Sequence, residues 1–86
     1  MKMASAGTME SNDCMMTVRE YSGIRIEIES IVFKQFGKQI EKVIRDTLKE
    51  QNIHNIHVQC NDKGALDYTI KARLITAIQR MGDQHA

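Results

Sequence analysis

Between Cys14 and Met81 the spacing of apolar residues switches from two to about 3.6, back to two, and again to 3.6. That alternation leaves few folds open. In Cys14–Tyr21, the residues Cys14, Met16 and Val18 share one side of an extended chain, and Thr17, Arg19 and Tyr21 share the other. In Ile24–Glu29 the alternation is strict, with Ile24, Ile26 and Ile28 against Arg25, Glu27 and Glu29. This is the pattern of a strand with one dry and one wet face. Ser22-Gly23 between the two reads as a tight turn, so the pair is predicted to be an antiparallel hairpin. The period then lengthens. Phe33, Phe36, Ile40, Val43, Ile44 and Leu48 form one apolar stripe, predicting a helix from an N-cap at Ser30 to about Gln51. Gly37 inside it costs about 1 kcal/mol relative to Ala, so it needs a close-packing reason or a helix that settles one turn later. Asn52 suits a left-handed cap.

A third strand follows, in which Ile56, Val58 and Cys60 alternate with His57, Gln59 and Asn61. Asp62-Lys63-Gly64 is a turn, with Asp62 as a candidate N-cap for a second helix from Ala65 to about Met81. Leu66, Ile70, Leu74, Ala77, Ile78 and Met81 make its buried stripe, and Asp67 and Arg80 complement the helix dipole. The expected fold is α+β: a two-layer ββαβα domain with a small three-stranded sheet and both helices packed on one face. The third strand is placed beside the first, antiparallel, giving the order 2-1-3. Residues 1–13, MKMASAGTMESND, show no period and are expected to form a flexible N-terminal arm, with Gly7 adding freedom. Residues 14–82 form the single domain and 83–86 a tail.

Size and charge exclude several functions. At 86 residues and 9.8 kDa, roughly 63% of the unfolded surface is buried, enough for one core and too little for a doubly wound cofactor-binding enzyme. Twelve basic against eleven acidic residues give a net charge of +1, which lacks the basic excess of a nucleic-acid footprint. Unbroken apolar runs reach only three residues, as in Ile31-Val32-Phe33, so no transmembrane span is expected. The start Met1-Lys2-Met3-Ala4-Ser5 has no apolar segment of the secretory kind. With only two cysteines, a reducing, cytoplasmic setting is expected.

No residue set makes a self-sufficient active site. His54, His57 and Cys60 stand at three-residue spacing, but on a strand His57 and Cys60 face opposite sides and cannot easily share an ion. They read as surface histidines and a core cysteine, and no metal is expected. Cys14 has acidic neighbours in Glu10 and Asp13, which would raise a thiol pKa and argue against a nucleophile. No Ser-His-Asp grouping, phosphate loop or pair of buried carboxylates is visible, so no catalytic residue is assigned. By composition alone Ser11 is a solvated serine in a polar segment.

Three blocks carry a resemblance. Ala6-Gly7-Thr8-Met9-Glu10-Ser11-Asn12-Asp13 resembles the AGT-x-ES-x-D signature of the citrate lyase acyl carrier protein, the γ chain of that enzyme. Lys34-Gln35-Phe36-Gly37 is the second block. Asp62-Lys63-Gly64-Ala65-Leu66-Asp67, followed by Ile70-Lys71-Ala72-Arg73, is the third. They occur in the family's order and span about Ala4 to Met81. The Tyr21-Ser22-Gly23 link is shorter than in relatives, at a place where length varies cheaply.

The resemblance implies that Ser11 carries a 2'-(5''-phosphoribosyl)-3'-dephospho-CoA group, covalently attached through a phosphodiester by a prosthetic-group transferase. It implies two further partners. The α subunit exchanges acetyl for citrate on the arm, and the β subunit, which uses Mg²⁺, cleaves the citryl thioester to oxaloacetate, as in bacterial citrate fermentation. The chain would be a non-catalytic carrier. An accessible hydroxyl on a mobile peptide with a rigid body to dock suits that role, since tethering gives local concentrations of about millimolar. Glu10 and Asp13 either repel the phosphodiester and keep it off its own peptide or serve as solubilising or transferase-read charges, and the basic side of the first helix is either a docking face or a solvated one. Two alternatives stand beside this reading: the carrier of a malonate decarboxylase-type complex, and an unmodified interaction module using the open face of the sheet.

Overall fold

The computed structural model describes residues 2–83. The chain runs β1 (Met3–Gly7), β2 (Cys14–Arg19), β3 (Ile24–Ser30), α1 (Phe33–Glu50), β4 (Ile56–Asp62) and α2 (Asp67–Gly82). The class is α+β, as expected, with the helices packed on one face of the sheet. Of the tail at 83–86, residues 84–86 lie outside the described residues.

The sheet departs from expectation in two ways. It has four strands in the order β1-β2-β4-β3. The segment expected to be a flexible arm supplies the extra one: β1 pairs antiparallel with β2, Ala4 opposite Val18 and Ala6 opposite Met16. Ala6 is buried and packs in the core, while Ser5 Oγ and Thr17 Oγ1 lie 3.0 Å apart on the other face. Arg80 Nη1 also donates to the Ser5 carbonyl at 2.8 Å. A five-residue edge strand of small side chains has too little apolar contrast to announce itself by period.

The second departure is that β2 and β3 form no hairpin. β4 lies between them, antiparallel to β2 as expected and parallel to β3. Crossing one intervening strand needs about 9.6 Å, within the roughly 13 Å reach of the four residues Glu20–Gly23. Gly23 at φ +86° is held by β4 rather than by a hairpin partner. Its N–H donates to Asn55 Oδ1 at 2.9 Å, and its carbonyl accepts from Ile56 N at 2.8 Å. The central place goes to the strand that can be dry on one face and carries only His, Gln and Asn on the other. In β4, Ile56, Val58 and Cys60 are buried, with His57, Gln59 and Asn61 behind them and no lysine, arginine or glutamate in the strand. β3, with Arg25, Glu27 and Glu29, takes the edge, where charge discourages further pairing.

Strand parity follows the reading in β2 and β4; in β3, at the edge, Ile26 and Ile28 are half-buried and Ile24, expected on the dry face, is exposed. Cys14, Met16 and Val18 meet Asp62, Cys60 and Val58 across the β2–β4 ladder, all on the helix side. Ile40, Ile44, Leu48, Ile70, Leu74 and Ala77 complete the core from the helices. Asn52 takes φ +60°, its N–H reaching Lys49 O at 3.0 Å while Ile53 N reaches Leu48 O at 2.9 Å, the paired bonds of a Schellman cap. His57 lies on the open face against Glu27 Oε1 at 2.6 Å, and Cys60 lies in the core. No helix among the described residues is long and apolar enough to cross a membrane.

The helix starts and two stripes need correction. Ser30 ends β3 and is not the N-cap of α1; its hydroxyl accepts from Val32 N and donates to the buried Asp62 carboxylate at 2.8 Å. Asp62 in turn does not cap α2. Its Oδ1 accepts from Ala65 N at 2.9 Å, shaping the turn, and the helix begins at Asp67. Phe33, Phe36 and Leu66, expected in the buried stripes, are 53%, 52% and 59% exposed, because both helices begin beyond the edge of the sheet's core. Gly37 has the close-packing reason: a Cβ there would stand 2.8 Å from the Phe33 ring.

Candidate functional site

The β1–β2 hairpin loop, residues 8–13, presents Ser11 at its tip. Gly7, Thr8, Asn12 and Asp13, around Ser11, each have a structural task. Gly7 sits at φ +106°, and a Cβ there would lie 1.8 Å from the Cys14 carbonyl oxygen, so only glycine lets the strands close. Thr8 Oγ1 accepts from Glu10 N at 3.3 Å and donates to Asp13 Oδ2 at 2.7 Å. The Asp13 N–H returns to the Glu10 carbonyl at 3.2 Å, closing a four-residue turn whose third residue, Asn12, takes φ +65°. Asparagine tolerates that conformation.

Asp13 locks the loop. Its carboxylate accepts Cys14 N at 2.7 Å, Thr8 Oγ1, and the fork of Arg73 from α2, with Nε at 3.0 Å and Nη2 at 2.9 Å. The Arg73 hydrogen bonds, followed by those from Thr8 and the Cys14 amide, hold the Asp13 pKa down to about 2. Backbone bonds add a second tie, Asn12 N to Lys63 O at 2.8 Å and Lys63 N to Asp13 O at 2.9 Å. The peptide expected to be mobile is therefore held to the turn after β4 and to α2. Repulsion by two flanking carboxylates is also corrected, since Asp13 is neutralised by Arg73 and Glu10 alone faces outward beside Ser11.

Ser11 is exposed, and its hydroxyl has no hydrogen-bond partner among the described residues. A primary alcohol at the tip of a fixed loop, with neither bond nor neighbour to displace, fits a bulky group attached through oxygen. Lys63, hydrogen-bonded to the loop by its backbone, has a side chain with no ion pair among the described residues and could face a phosphodiester there. The cysteines take no part. Cys14 and Cys60 are unbridged and buried side by side; the hydrogen bond to Cys14, then burial, pushes the Cys60 thiol far above the ordinary range.

Arg73 and Lys63 are the residues that sequence reasoning left without a role. Arg73 follows Ile70 by three residues, next to Leu74, so a cation at the margin of a buried stripe was the available signal.

The ACP family, described as malonate decarboxylase delta subunit (MdcD), matches residues 1–81. Among individual proteins, the citrate lyase acyl carrier protein of Halothermothrix orenii is 50% identical over 92% of this chain and 85% of its own. That of Streptococcus mutans is 53% identical over 90% and 78%, and that of Lactiplantibacillus plantarum 55% over 90% and 81%. Among solved structures, a chain of a Pseudomonas malonate decarboxylase hetero-tetramer in complex with malonate superposes with a TM-score of 0.75. It covers 94% of this chain and 84% of that one at 15% identity, a likeness of fold. With half its residues identical to such proteins over nearly its whole length, the chain belongs to the citrate lyase acyl carrier protein family.

Proposed function

We propose that Ser11 is the covalent attachment point of a 2'-(5''-phosphoribosyl)-3'-dephospho-CoA group, and that through it the chain serves as the non-catalytic carrier subunit of a cytoplasmic citrate lyase. The carrying observation is the contrast within one loop. Gly7, Thr8, Asn12 and Asp13 are each committed to holding the turn, whereas the Ser11 hydroxyl is exposed and unbonded. The bound group supplies a terminal thiol on which acetyl and citryl units ride as thioesters. The chain's own part is to fix the origin of that arm. Reach then belongs to the arm and not to the peptide, and the clamped loop makes the volume it sweeps reproducible for each enzyme that visits. The partners on this reading are the α and β subunits of citrate lyase and the transferase that loads Ser11. The carrier of a malonate decarboxylase-type complex is the neighbouring reading, favoured by the description of the matching family and by the likeness of fold. The citrate lyase names of the relatives at about half identity favour the first.

The test is intact-mass spectrometry of the chain from its native host, with peptide mapping. A CoA-derived adduct on Ser11 that disappears in Ser11→Ala is expected. An unmodified Ser11 in active complex rejects the proposal.

A further inference from the structure

The open face of the sheet carries a groove of about 340 Å³. Two rows of the ladder make its floor. Met15, Asn61 and Glu29 stand side by side in one row, and Thr17, Gln59 and Glu27 in the next. Gly7, opposite Met15 on β1, adds no side chain to the first row. Met9, from the Ser11 loop itself, also lines the groove and is 48% exposed. It stands two residues from Ser11, so at most about 7 Å of backbone separates them.

The polar lining is largely engaged, with one exception. Thr17 Oγ1 and Ser5 Oγ share a hydrogen bond at 3.0 Å, and Gln59 Oε1 accepts from Arg19 Nη2 at 2.7 Å. Glu27 Oε1 accepts from His57 Nε2 at 2.6 Å and faces Arg25 Nε at 3.2 Å. Asn61 Oδ1, in contrast, is buried and has no hydrogen-bond partner among the described residues. A buried carboxamide oxygen without a donor is costly, and a donor from a ligand would relieve it. Such a ligand must bring an N–H group to Asn61 and an apolar surface to Met9 and Met15. It must also be uncharged. An anion is repelled by Glu27 and Glu29 on the β3 side, and a cation would find Glu27 already answered by Arg25 and His57.

The group proposed for Ser11 holds a part of this kind close to its root. Beyond the phosphate come one ribose and then the adenosine, with the diphosphate and pantetheine further out. A phosphate and a sugar are tether enough to cross from Ser11 to Met9. Adenine is flat and uncharged, and it sets a donor, N6–H, beside an acceptor, N7, an edge that an asparagine amide matches with two hydrogen bonds. Methionine side chains are adaptable and pack well against an aromatic ring. Pantetheine also has amide N–H groups, but it lies beyond the charged diphosphate, which the two glutamates keep away from the groove. We infer that the groove between Met9, Met15 and Asn61 binds the adenine of the group carried by Ser11, with Asn61 reading the edge of the base. The inference rests on Ser11 being the loaded residue. With the base seated, Glu27 and Glu29 turn the diphosphate off the sheet, and the arm leaves the body at a fixed point.

The test is NMR of the loaded chain with isotope-labelled methionine methyls, its mass confirming one adduct on Ser11. Through-space contacts are expected between the adenine ring protons and the Met9 and Met15 methyls, with a shift of the Asn61 side-chain amide relative to Ser11→Ala. Asn61→Ala should abolish the contacts while loading, read by mass, is unchanged. Met9→Ala should weaken the Met15 contact and serves if Asn61→Ala folds poorly. Lys38→Ala, exposed on α1, should change nothing. Dephospho-CoA added to the unmodified chain should shift the same methyls with a Kd of about a millimolar, the affinity at which tethering begins to fill a site. Asn61→Ala should weaken that binding by about fivefold, the worth of one hydrogen bond, and pantetheine should shift neither methyl. An unmodified Ser11 in the mass spectrum is failure of the Ser11 reading. A loaded chain whose methyls and Asn61 amide match those of Ser11→Ala overturns this inference alone. So do contacts that survive both Asn61→Ala and Met9→Ala, or pantetheine protons found in the groove in place of the base.

Discussion

Gly7→Ala tests the account of the Ser11 loop most directly. Two costs are separable. Holding an alanine at φ +106° costs about 1–2 kcal/mol, the penalty for an L side chain in left-handed space. The second cost is contact. A Cβ 1.8 Å from the Cys14 carbonyl oxygen, where real contacts essentially never fall below 3.0 Å, forces the end of β1 away from β2 by more than about 1 Å. That breaks the last rungs of the ladder, at about 1 kcal/mol for each of about two hydrogen bonds. The sum is about 3–4 kcal/mol, against roughly 4–13 kcal/mol for the whole domain. Gly23 provides the control, since its φ is +86° but a Cβ there meets nothing within 4 Å. Gly23→Ala should incur only the backbone cost. The loss of unfolded-state entropy on replacing glycine is common to both variants and cancels in their difference. Urea denaturation should place Gly7→Ala about 2 kcal/mol below Gly23→Ala, and its melting point about 12–30 °C below the parent's. Hydrogen exchange should localise the extra loss to β1 and the loop. Equal destabilisation by the two variants would refute the close-approach argument and with it the fixed loop.

Three further outcomes follow from the same geometry. Asp13→Asn should cost about 1 kcal/mol at pH 7, less than the full pKa shift converts to because Arg73 is 41% exposed and solvent-screened. The Asp13 pKa is lower folded than unfolded, so this stabilisation is complete above about pH 4, and the gap between parent and variant should close as the pH falls towards 2 in urea melts. Gly37→Ala should be near neutral in thermal melts, because the gain of about 1 kcal/mol in helix propensity offsets displacement of a half-exposed Phe33 ring. Cys14 and Cys60 should resist a thiol reagent in the native chain and react together on unfolding; fast native labelling of either would contradict their burial.

Sequence by itself determined the dry face of β2 and β4 and the central part of each helix stripe. Parity placed Met16, Val18, Val58 and Cys60 inward and His57 outward, and three- and four-residue spacing placed Ile40, Ile44, Leu48, Ile70 and Leu74 in the core. Asn52 announced its own cap because that backbone conformation selects few residues. Tertiary structure decided which elements met. Periodicity says that a face must be dried and not what dries it, so β4 could enter between β2 and β3, and a short strand of small residues could join the edge unannounced. Phe36 and Leu66 show the same limit, since a stripe continues past the point where its neighbour ends. The clamp on Ser11 is the clearest case. Asp13 and Arg73 stand 60 residues apart, and only the fold could turn a polar segment into a rigid mount for one free hydroxyl.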